Sequence, residues 1–140
     1  MKTWMIVRKA DLEVMGSYMA EEKDDTSNNR SYLLAEPHCM HMELPEDVEA
    51  RYAKCEMVED EATLMHSEDK ELAEVDASWH SLRAERDRRL MATDKYVLPD
   101  YPISGENLQA MKDYRNDLRD LPSETVDPRL AVEWPEMPEV

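Results

Sequence analysis

The 140-residue chain carries 17 Lys+Arg against 33 Asp+Glu, and its formal net charge of −16 argues against nonspecific binding to duplex DNA, which would repel it. No apolar run approaches the ~20 residues of a membrane span, and the opening Met1-Lys2-Thr3-Trp4-Met5-Ile6-Val7-Arg8 meets charge too soon for a signal peptide. A soluble protein that stays where it is made is expected, and two cysteines, Cys39 and Cys55, are too few for a secreted disulfide scaffold.

In chain order, residues 3–9 (Thr-Trp-Met-Ile-Val-Arg-Lys) are β-prone, and residues 12–19 follow after an Ala10-Asp11 turn, which predicts a hairpin. Residues 21–31 are polar without an apolar period and read as an exposed loop. Residues 32–35 and 38–44 are expected to form a third strand broken at Pro37, because proline has no N–H to give to a ladder. Residues 51–58 and 62–66 flank Glu59-Asp60-Glu61, an acidic turn, and predict a second hairpin.

The period changes after residue 66. Ser67 or Asp69 is placed to cap a helix, with Glu71 and Glu74 favourable near its positive end. Leu72, Val75, Trp79, Leu82, Arg86 and Leu90 then recur at three- and four-residue steps and define one helical face. Pro99 and Pro102 prevent continuation. Ser104 is placed to cap a second helix whose stripe is Leu108, Met111, Tyr114, Leu118 and Leu121, and Pro122 is expected to stop it. Residues 127–138 hold too many prolines for a helix and are expected to run extended, with Val132 and Trp134 pinning them to a surface. The predicted fold class is α+β: a small antiparallel β unit over 1–69, a helical hairpin over 70–122 and an extended tail over 123–140.

Charge is uneven along this plan. Residues 1–69 hold 7 Lys+Arg against 17 Asp+Glu and residues 70–140 hold 10 against 16, yet residues 83–95 carry five cations and three carboxylates. Two short helices bury little alone, so their apolar faces need a third surface, with Trp79 as keystone. Either the β unit or a partner protein serves. Arg86 on the stripe calls for a carboxylate that its planar fork can grip, from Asp117, Asp120 or Asp100. Arg115 and Arg119 are matched in the same way with Glu85, Asp87 or Asp94.

Other chemistry finds little support. His38-Cys39-Met40-His41 with Cys55 fits no zinc spacing, and strand alternation puts Cys39 and His41 on one side and His38 on the other. With only Gly16 and Gly105 there is no phosphate-cradling loop, and no nucleophile elbow or triad context occurs. Asp24-Asp25 and the Glu59 turn read as solvated carboxylates. No metal, cofactor or enzymatic activity is expected.

The segment 79–122 resembles the bacteriophage tail assembly chaperone-like family, often associated with tail fibre assembly. The resemblance rests on Trp79, Arg83, Arg86, Asp87, Leu90 and Asp94, then Leu98-Pro99-Asp100, and finally Tyr114-Arg115-x-x-Leu118-Arg119-Asp120 with Pro122. Trp134-Pro135 is similar to the ending many members carry, while Tyr96 and Met111 depart from the family's aromatic positions. The resemblance implies a phage protein that helps tail or fibre proteins fold or assemble, in the host cytoplasm or retained in the virion tail. The residues assigned to partner binding are Trp79, Leu82, Arg83, Arg86, Tyr114, Arg115, Arg119 and Trp134. The partner is a tail or tail-fibre protein rather than nucleic acid or membrane. A permanent virion component, an adaptor or decoration on the tail, is the alternative; an acidic mimic of DNA is disfavoured by the interspersed arginines.

Overall fold

The computed structural model describes residues 1–140, which divide into two compact units, Met1–Glu71 and Leu72–Val140. The fold class is α+β: antiparallel strands come first and two helices follow. No helix is long and apolar enough to cross a membrane.

In the first unit, β1 (Lys2–Arg8) is the central strand of a three-stranded antiparallel sheet, between β2 (Val14–Ala20) and β3 (Cys39–Glu43). The register runs from Lys2 opposite Ala20 to Ile6 opposite Gly16, then slips so that Val7 faces Val14. Met15 is the extra residue of that bulge. A second ladder joins β4 (Ala53–Val58) to β5 (Glu61–His66). Period-two alternation sorts β1 between two layers. Met5 and Val7 enter an apolar core with Ala53, Cys55 and Leu64, while Ile6 lies beside His41 on the opposite face.

The polar stretch 21–31, expected as an exposed loop and largely exposed, is anchored on that opposite face. The backbone N–H of Asp24 donates to the Tyr18 hydroxyl at 2.8 Å, and the Tyr18 hydroxyl meets His41 Nδ1 at 2.8 Å. His41 Nε2 donates to the Leu34 carbonyl at 2.7 Å, and Arg30 lies 3.9 Å from the Tyr18 ring centroid. Asp24 and Arg30 thus tie the loop to the sheet through Tyr18, while most of its other side chains face solvent. Here the expected third strand also changes: Tyr32–Leu34 is a 3-10 turn, the Glu36–Pro37 peptide is cis, and only Cys39–Glu43 joins the ladder. Cys39 belongs to this face and Cys55 to the other, where its thiol approaches Met42 Sδ at 3.9 Å. Burial pushes both thiols above their ordinary range.

The β4–β5 hairpin turns through Glu59 and Asp60, with φ of 49° and 65° and Val58 opposite Glu61. Two-residue loops of this hand match the right-handed strand twist and favour Asn-Gly. A side chain in the left-handed region costs roughly 1–2 kcal/mol, less for Asp. Asp60→Gly is therefore expected to stabilise the first unit by about 0.5–1 kcal/mol, read as a raised urea midpoint at unchanged slope.

Helix α1 (Glu68–Ala92) starts under a Ser67 cap, whose hydroxyl accepts from the Lys70 N–H at 3.2 Å. In the second unit, α1 ends at Thr93, a short 3-10 turn spans Asp94–Val97, and α2 (Gly105–Glu124) begins under a Ser104 cap that accepts from Asn107 N–H at 3.2 Å. Pro122 does not stop α2. It sits inside the last turn, and Thr125 closes the helix by donating its N–H to the Leu121 carbonyl at 3.0 Å. The proline forfeits one hydrogen bond near the end, where few remain to lose. Residues 131–140 form neither helix nor strand.

Candidate functional site

The second unit is organised around α2. Met111, Tyr114 and Leu118 form its buried cluster, and Leu90, Tyr96, Val97 and Trp134 pack against it. These residues come from the last turn of α1, the corner and the C-terminal segment, so the cluster joins the end of α1 to α2 with a residue near the C-terminus contributing. Trp134 has the Arg89 guanidinium 4.3 Å from its ring centroid. It also lines a groove with Leu82, Pro128, Arg129 and Val132 along the Ala77–Ser78–Ser81 side of α1. Leu82 is the one fully buried side chain of α1, and the remainder of its stripe is half-buried, with Leu72 60% exposed.

The charged centre of this unit is Arg115, only 8% exposed. Its Nη1 donates to the Leu90 carbonyl at 2.7 Å and to Thr93 Oγ1 at 2.8 Å, and its Nη2 meets Asp94 Oδ1 at 2.8 Å. Thr93, 1% exposed, donates its own hydroxyl to the Leu90 carbonyl at 3.0 Å. Carbonyls at a helix end lack intrahelical partners and carry partial negative charge, so α2 supplies α1 with a cationic C-cap.

Residues 79–139 match the family of phage tail assembly chaperone proteins. The matched segment begins at Trp79 and includes Trp134, so the likeness read over residues 79–122 extends through the tail and lies wholly within the second unit. No curated protein and no solved structure matches the chain. The match to tail assembly chaperones supports a role in phage tail assembly.

Within the matched segment the sequence-assigned residues fall into two sets. Leu82, Tyr114, Arg115 and Trp134 are spent on the interior just described. Trp79 is half-buried with Arg83 5.3 Å from its ring centroid, and Arg83 and Arg119 are exposed. The expected Arg86 staple across the hairpin is absent: Arg86 turns to its own neighbour Asp87 at 2.8 Å. Arg115 is the buried cation instead, and its Asp94 partner is among those expected. Arg119 meets no carboxylate and donates to the Asn116 side-chain oxygen at 3.1 Å. Thr93 was not singled out in the sequence, and Arg89 was read only as a charge favourable at the end of α1. A threonine three residues after Leu90, followed by Asp94, was the available sign of a helix end.

Glu85 gathers Arg88 at 2.6 Å and Arg89 at 2.9 Å, so it also sets the arginine that stands on Trp134. The Arg88 and Arg89 hydrogen bonds bring its carboxyl from an ordinary 4.5 down to about 2. A depressed folded-state value contributes stability that is present above pH 4.5 and lost as pH falls towards 2. Glu85→Gln is expected to remove that part of the acid slope of the second unit, checked by urea melts followed by tryptophan fluorescence across the window.

Proposed function

We propose that the protein acts in phage tail assembly by binding a tail or tail-fibre polypeptide in the host cytoplasm, without catalysing a reaction. The match of residues 79–139 to tail assembly chaperones carries this reading. Trp79, Arg83 and Arg119 are the contact residues, and Leu82, Tyr114, Arg115 and Trp134 hold the scaffold that presents them. Met91, 73% exposed, and Leu72 add flexible apolar area on α1. An aromatic ring beside an arginine, with an exposed methionine elsewhere on the same helix, is the chemistry of adaptable polypeptide contacts. The mechanism is shielding of an aggregation-prone or trimerising segment of the partner until it joins the tail.

Co-expression with the tail and fibre proteins of the same phage tests this. Soluble yield and trimerisation of one of them are expected to rise, and indifference of all of them excludes chaperoning. Mass spectrometry of purified virions separates the rival role. A transient factor is missing from the particle, whereas a stoichiometric signal assigns the protein to the tail as an adaptor or decoration.

A further inference from the structure

One cleft of the second unit is unlike the rest of an acidic chain. Val97, Lys112, Arg115, Asn116 and Arg119 line a cavity of about 300 Å³. Lys112, Asn116 and Arg119 follow one another at four and three residues, so a single face of α2 carries all three. All three are exposed.

Elsewhere in this unit Arg86, Arg88, Arg89 and Arg129 each hold a carboxylate at 2.6–2.9 Å. Arg83 and Lys95 stand on aromatic rings. Lys112 and Arg119 hold neither, although carboxylates outnumber cations 33 to 17 in the chain. Arg115 forms the floor, with its Nη groups already engaged.

We infer that this cleft receives a Glu or Asp side chain, next to an apolar residue, of a partner polypeptide. The inference deepens the polypeptide-binding reading above and rests on it. The Asn116 side-chain oxygen accepts from Arg119 Nη1 and orients the guanidinium, and the Asn116 amide nitrogen remains as a further donor beside the Lys112 ammonium. An oriented fork, a point charge and an amide are the donor set a carboxylate takes. Val97 supplies an apolar wall for the neighbouring side chain. Asp113, Asp117 and Asp120, all exposed, occupy the adjoining face of α2. A continuous polyanion such as nucleic acid therefore meets repulsion beside the cleft, while a single carboxylate among neutral residues does not.

The full chain is titrated with a fluorescein-labelled Ser-Leu-Glu-Leu-Ser peptide and with its Gln-for-Glu twin, read by anisotropy. The acidic peptide is expected to bind at least about tenfold tighter, and to weaken as salt rises. In the Lys112→Gln/Arg119→Gln double variant that preference is expected to vanish, with the melting temperature within about 2 °C of wild type because both side chains are at the surface. Equal binding of the twins, or a preference that survives in the double variant, overturns the inference. Displacement of the peptide by a single-stranded oligonucleotide also overturns it, in favour of a nucleic-acid site. Co-expression keeps the two readings apart. If wild type and double variant raise tail-protein yield equally, tail binding stands and the cleft assignment fails. If neither raises it while the peptide preference holds, the carboxylate site stands and the assembly reading fails.

Discussion

Replacing Arg115 with alanine is expected to destabilise the second unit by about 3 kcal/mol. The side chain supplies donors to the Leu90 carbonyl and to Thr93 Oγ1, and Thr93 is 1% exposed, so water does not readily take its place. The Leu90 carbonyl keeps the Thr93 N–H at 3.1 Å and the Thr93 hydroxyl at 3.0 Å, so the cost comes from losing the charge-assisted bonds and the packing of the buried side chain. The Asp94 contact adds less, because the Asp94 side chain is 61% exposed and rehydrates when its partner is lost. Arg115→Lys restores the positive charge at the end of α1 but presents a point charge where three acceptors surround a fork. It is expected to recover less than half of the loss. Thermal unfolding followed by far-ultraviolet circular dichroism checks both variants, and a midpoint for Arg115→Ala within about 3 °C of wild type would show that the cap contributes little.

The second large effect is expected at Trp134. Truncating a core tryptophan to alanine costs about 3–5 kcal/mol. Trp134 is half-buried, so the packing loss is expected to be about 2–3 kcal/mol, with roughly 0.5–1 kcal/mol more from the Arg89 guanidinium that loses its ring. Removing residues 126–140 is expected to do at least as much, since Pro128, Arg129 and Val132 leave the α1 groove with it. Limited proteolysis reads the outcome directly. The second unit should become cleavable within its helices in both variants, whereas protection equal to wild type would mean that the tail merely lies on an already closed hairpin.

Both helices and four of the five strands were legible in the sequence within a few residues. Period-two and period-three-to-four spacing, Ser67 and Ser104 as caps, and the Glu59-Asp60 turn are local signals. What failed depended on the path of the chain in space. Arg86 lies four residues from both Leu82 and Leu90 and so reads as interior, but the stripe of α1 is only half covered and the side chain turns to Asp87. Asp94 was one of three carboxylates expected for Arg115, yet the burial of Arg115 was missed. Arg115 lies four residues after Met111 and three before Leu118, inside the apolar arc of α2, and that spacing was the overlooked clue. Residues 21–31 are the exposed loop expected, but its anchor was not legible. Its polarity signalled solvent, while its backbone and Arg30 also complete a network around Tyr18 that no local pattern announces.

Trp134 reaches back to Met111, Tyr114 and Leu118, and Arg115 to Leu90, so the helical core is assembled from pieces that leave the ribosome far apart in time. A nascent chain translated past α2 but short of Trp134 displays that cluster uncovered. The strands of residues 1–71, which pair among themselves, need no later residue to complete their ladders. Stop codons or translational pauses between 125 and 134 should consequently yield a product with ordered sheets and an open, sticky helical half, a form suited to capture by quality-control proteases.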